Sequence, residues 1–189
     1  LNKPTFNFSY DDAINSTPPY LSRYQVLEAR TNFQIKGIKP EDISLPIRQS
    51  LIEQGISIEE LTIVGTDIGK KVMNKGTDEA IIQEFMEESI KDESGVLPAK
   101  SIIFAISKKH AQGLLDAFNR LYPEHKGELA ETIYSGMERP DKLIDKFMKK
   151  DLPRVAISVD MLDTGIDVPE ICNLVFAKPV FSKIKFWQM

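Results

Sequence analysis

A chain of 189 residues, 42% apolar and 28% charged, can bury one sizeable core and a smaller appended unit. Its net charge of −4 argues against a free-standing nucleic-acid binder, which needs a concentrated positive field, but leaves room for a local phosphate contact through hydroxyls, backbone amides and a few lysines. The single Cys172 excludes an internal disulfide, two histidines beside it cannot supply a zinc site at the usual spacing, and no apolar run approaches the ~20 residues of a membrane helix. With no signal-peptide pattern in the first residues, the expectation is a cytoplasmic chain without a membrane partner.

Residues 1–30 mix aromatic and polar side chains around Pro18 and Pro19, and the alternation of Tyr24 and Val26 predicts a strand over residues 23–28 at the end of a connector. Residues 31–76 are rich in Pro, Gly and charge and show no long periodicity, so they are read as a small inserted subdomain or a clamp. Residues 1–76 together form the expected connecting region. From Thr77 the pattern sharpens: a capping-type Thr, acids at 78, 79 and 84, and Ala80, Ile81, Phe85, Met86 and Ile90 at helical spacing predict a helix.

A charged loop over residues 91–100 leads into a buried-type strand over 101–106. A helix over 108–121, a strand over 129–134, a helix over 139–149 and strands over 154–159 and 172–177 follow. Strands alternating with helices of this length predict an α/β fold, a parallel sheet with helices on both faces joined by right-handed crossovers. Ligands gather at the carboxyl ends of such strands. Ser107, Ser135 and the segment after Val159 therefore belong to one edge.

The segment after Val159 joins a β-branched strand to a loop carrying Gly165, Asp167 and Pro169. Gly165 permits close backbone approach or positive φ, and Asp167 can accept from a ribose hydroxyl; equally, Gly165 can simply turn the chain and Asp167 cap it. Ser107 is a good N-cap for the next helix as well as a candidate phosphate contact. Lys108, Lys109 and His110 read as a solvated helix start, and no acid or nucleophile at supporting spacing makes His110 a catalyst. Lys146, Lys149 and Lys150 read as an exposed helix face, and Met137 and Met148 as packing. No P-loop occurs, since the stretch from Gly65 to Lys71 has the wrong spacing and no hydroxyl after its lysines; a Walker-B acid box is equally absent. Acids such as Glu41 and Asp42, or Asp141 beside Lys142, lack the pattern of a two-metal nuclease, and no metal site is expected.

The loop with Gly165, Asp167 and Pro169 resembles motif V of superfamily-two helicases and translocases. The run from Ser101 through Ser107 to Ala111 resembles their motif IV, and Ser135-Gly136 followed by Glu138-Arg139 is similar to the second-lobe segment that touches the nucleic-acid backbone. Ala99 to Ala105, Gly136-Met137-Glu138-Arg139, and Asp163-Thr164-Gly165-Ile166-Asp167-Val168-Pro169 leading to Asn173-Leu174-Val175-Phe176 narrow the resemblance to the motor subunit of type I restriction enzymes. Ser9-Tyr10-Asp11-Asp12-Ala13-Ile14 resembles the connector between its lobes.

The resemblance implies a RecA-like (P-loop NTPase-type) second helicase lobe over residues 77–189, preceded by the connector. It implies that Gly165, Asp167 and Thr164 approach ATP whose Mg ion is held mainly by the first lobe, and that Ser107, Ser135 and Gly136 hold successive phosphates of double-stranded DNA. Asp160 stands where related repair helicases often carry Asn. Methylase and specificity subunits would be the partners, and the nuclease would lie in a separate N-terminal domain. The aromatic end at Phe186 and Trp187 leads to the expectation of a lobe cut short of motif VI, without ATPase activity by itself. Two other readings are a lobe of a general DNA helicase or repair ATPase, and a non-catalytic nucleotide- or partner-binding module.

Overall fold

The computed structural model describes residues 8–28, 75–162, 168–178, 180 and 186. The chain divides into two compact units, residues 1–30 and 31–189. The expected inserted subdomain lies almost wholly in residues outside the described ones.

In the first unit, α1 (Tyr10–Asn15) starts at a capping box: the Ser9 hydroxyl accepts the Asp12 amide, and the Asp12 carboxylate accepts the Ser9 amide. The Ser9 hydroxyl, donating to the Asp12 carboxylate at 2.7 Å, and then the Ser9 amide hold the Asp12 carboxyl below its ordinary range. The rings of Tyr10 and Tyr24 pack at 5.5 Å, and the Tyr10 hydroxyl donates to the Ser22 carbonyl at 3.0 Å. The strand expected over residues 23–28 does not form. These residues take no regular element, and Tyr24, Val26 and Leu27 are 53%, 70% and 70% exposed. Alternation provides one apolar face, but a strand also needs a neighbour to complete its hydrogen bonds, and no described strand pairs with this stretch.

The second unit is an α/β layer structure. In chain order it runs α2 (Lys75–Glu88), β1 (Lys100–Phe104), α3 (Lys108–Leu121), β2 (Ala130–Tyr134), α4 (Pro140–Lys149), β3 (Val155–Val159) and β4 (Ile171–Phe176). All neighbouring strands are parallel in the order β2-β3-β1-β4, with Ile103 opposite Ile157 and Val175, and Thr132 opposite Ile157. The α/β expectation holds.

Period-two alternation sorts the strand side chains onto two faces. Ile103, Ala105, Val155 and Ile157 enter one core with Ile82 and Phe85 of α2 and with Ala111, Leu114, Ala117 and Phe118 of α3, the last four at the 3.6-residue spacing of an apolar helix face. Ile102, Phe104, Ile133 and Ala156 enter the other with Phe147 of α4. Pro140 opens α4, where its fixed φ and absent N–H suit the first turn. At the other end of α4, the Lys100 ammonium donates to the carbonyls of Phe147 and Lys150, which the helix leaves open, and to that of Pro153 just beyond it. Burial pushes the Lys100 amine below the ordinary lysine value.

Candidate nucleic-acid interface

A sheet with every strand parallel delivers all four carboxyl ends to one edge, and the segments that follow β1, β2 and β3 carry the residues singled out by sequence. After β1, Ser107 adopts an extended conformation and N-caps α3, its Oγ accepting from the His110 amide at 3.2 Å. A serine hydroxyl has two lone pairs and one proton, and the cap uses one lone pair. The O–H of half-buried Ser107 stays available to donate to an anionic oxygen, so cap and phosphate contact are compatible roles.

After β2, Ser135 and Gly136 are exposed, and Gly136 has φ +85°, a conformation that L side chains rarely adopt. Helix α3 packs against β2 and β3, so its first residue reaches this exit. The Lys108 ammonium sits 5.1 Å from the Tyr134 ring centroid and 3.3 Å from where a Cβ on Gly136 would stand. Ser107 and Gly136 are thereby brought to the same lysine. Lys108 is exposed, and the sequence pattern alone reads it as part of a solvated helix start. Its position just past a strand's carboxyl end was the available signal.

After β3, the buried Ser158 hydroxyl accepts the Leu162 amide at 3.1 Å and closes a turn. Within it Asp160 has φ +56°. The Lys178 ammonium, beyond β4, lies 3.5 Å from Asp160 Oδ1 and over the Phe104 ring, and its side chain is only 10% exposed. This pair bridges the exits of β3 and β4 across the tip of β1. Thr164, Gly165 and Asp167 lie outside the described residues.

His110 departs from the expectation of a solvated helix start. It is 5% exposed, its Nδ1 accepts from the Ile106 amide at 3.2 Å, and its Nε2 lies 3.4 Å from Asp78 Oδ1. The supporting acid comes from a different helix, α2, which spacing along the chain could not show. Among the described residues no group of three or more His, Cys, Asp or Glu side chains is arranged to hold a metal, and no described helix is long and apolar enough to cross a membrane.

No family model matches the chain. Among curated proteins it is similar to the type I restriction enzyme EcoKI endonuclease subunit of Escherichia coli (strain K12), with 32% identity over 98 residues covering 48% of this chain and 8% of that protein. Among solved structures it is similar to the Pyrococcus furiosus Hef helicase domain, with 18% identity and a TM-score of 0.43, over 75% of this chain and 26% of that one. The chain thus spans a small part of both. The resemblance to the motor subunit of type I restriction enzymes, carried first by the sequence motifs, stands with a restriction-enzyme subunit as its curated relative.

Proposed function

We propose that this relative of a type I restriction endonuclease subunit supplies the second, RecA-like motor lobe of an ATP-dependent DNA translocase acting in the cytoplasm. The observation that carries the reading is the convergence of Ser107, Lys108 and Gly136 at the carboxyl edge of an all-parallel sheet. Hydroxyls, a lysine and exposed backbone suit a sugar-phosphate strand, which they grip without reading its sequence. They also reconcile DNA binding with a net charge of −4, because the positive charge is local.

In this reading Ser107 and the Ser135-Gly136 turn hold successive phosphates of one strand of double-stranded DNA. Thr164, Gly165 and Asp167 approach the ribose and phosphates of ATP, whose Mg ion and phosphate-binding loop belong to the first lobe. ATP clamped between two lobes closes them, and hydrolysis lets them part, so a lobe gripping DNA through Ser107 and Gly136 is carried along the duplex. No phosphoryl-transfer step is assigned to this chain's own residues, since the 189 residues contain no P-loop and no Walker-B acid box. Methylase and specificity subunits would choose the DNA, and cleavage would belong to the assembled complex.

ATP turnover by the full-length protein that carries this chain, with and without double-stranded DNA, tests the reading. The expected result is DNA-stimulated turnover that Asp167→Ala lowers about 10- to 100-fold. Absence of turnover in a well-folded full-length protein would favour a nucleotide- or partner-binding module. Turnover unaffected by DNA would remove the translocase.

A further inference from the structure

We infer that His110 and Asp78 are a buried positioning pair that fixes the exit of β1, and with it the Ser107 hydroxyl, for phosphate contact. The inference rests on the role given to Ser107 above. The ladder that holds β1 ends when the Ala105 amide donates to the Ser158 carbonyl at 2.9 Å. The next amide, that of Ile106, goes instead to His110 Nδ1 at 3.2 Å. One turn into α3, the same residue gives its backbone amide to Ser107 Oγ at 3.2 Å. His110 therefore holds the chain on both sides of the Ile106–Ser107 peptide, by its ring on one side and its backbone on the other. What remains at Ser107 beyond the cap is the hydroxyl proton and one lone pair.

The ring can do this in one tautomer only. Nδ1 accepts, so the proton of the neutral imidazole sits on Nε2, which faces Asp78 Oδ1 at 3.4 Å. An ionised carboxylate attracts the N–H side of the ring, so the contact with Asp78 favours that tautomer. The two side chains are 5% and 10% exposed, which leaves little room for water to take either part. Gly113 shows how closely the helices are fitted around the pair: a Cβ there would stand 2.6 Å from Asp78 Oδ2, so any side chain at 113 would force the carboxylate to shift.

Two substitutions separate positioning from simple core packing. Asn at 110 places its amide oxygen near the Nδ1 position and keeps an acceptor for the Ile106 amide while losing Asp78. Gln at 110 places its amide nitrogen near the Nε2 position, keeps the contact with Asp78 and leaves the Ile106 amide without a partner. The experiment measures the affinity of the full-length protein for a non-specific DNA duplex at several salt concentrations, with thermal stability followed in parallel. Both variants are expected to lose some stability, but His110→Gln is expected to weaken DNA binding about as much as Ser107→Ala, roughly 10-fold, whereas His110→Asn stays within about 2-fold of wild type in DNA binding. If Ser107→Ala weakens binding but the two His110 variants match each other, the positioning role is overturned and the phosphate reading survives. If Ser107→Ala binds like wild type, the phosphate reading falls and the inference falls with it.

Discussion

Two six-residue stretches of this chain look alike and fold differently. Arg23-Tyr24-Gln25-Val26-Leu27-Glu28 and Arg154-Val155-Ala156-Ile157-Ser158-Val159 each begin with an arginine and continue with strand-forming residues. The second is a central strand, hydrogen-bonded to β1 and β2 and buried from Val155 to Val159. The first is exposed and takes no regular element. Their arginines differ in the same way. Arg154 is held by Asp92 at 2.8 Å and Asp151 at 2.7 Å, with its side chain 15% exposed, while Arg23 meets the neutral Asn15 amide oxygen at 3.2 Å. Side-chain pattern states what a strand would bury, but neighbouring strands and covering helices decide whether it exists.

The contrast can be broken most forcefully at the centre of β3. Ile157 is fully buried between strands and under α3, so Ile157→Ala should cost about 2–5 kcal/mol in urea unfolding, and a loss below ~1 kcal/mol would mean the sheet is not the core. Lys100→Met should cost about 1–3 kcal/mol in the same measurement, because the carbonyls of Phe147, Lys150 and Pro153 lose a shared donor; an unchanged midpoint would show that water replaces the ammonium.

A smaller effect appears in acid. The Ser94 hydroxyl first, and the Arg154 guanidinium after it, hold the Asp92 carboxyl below its ordinary value of 3.8. Its stabilising contribution is full above that value and is lost as pH falls through the lower folded-state one. Melting temperature followed through this range should fall less steeply in Asp92→Asn than in wild type, and parallel curves would dismiss the linkage. At the foot of the scale, Val26→Asn should change stability by no more than about 0.5 kcal/mol, and a large loss would show that the Val26 side chain is buried in solution.

Much of the second unit was legible because it obeys local rules. Helix α3 runs from Lys108 to Leu121 as its periodicity predicted, and β1, β2, β3 and β4 fall within two residues of their expected bounds. The Ser107 cap was legible too, since a serine before an amphipathic run has a local reason to be there. The convergence of Lys108 on Gly136 was not, because it depends on α3 passing across the sheet to β2. The link from Asp78 to His110 joins two helices separated by a strand, and a histidine with its acid on another helix carries no local signature. Residues 23–28 differ for the complementary reason: the alternation that marks a strand is present, yet these residues take no regular element.

The most direct test of the account is a structure of the full-length protein bound to a DNA duplex. The account predicts backbone phosphates at hydrogen-bond distance, about 3 Å, from Ser107 Oγ and from the Ser135-Gly136 turn, with the Lys108 ammonium between them. A duplex seated elsewhere, with the carboxyl edge of the sheet left to solvent, would contradict it.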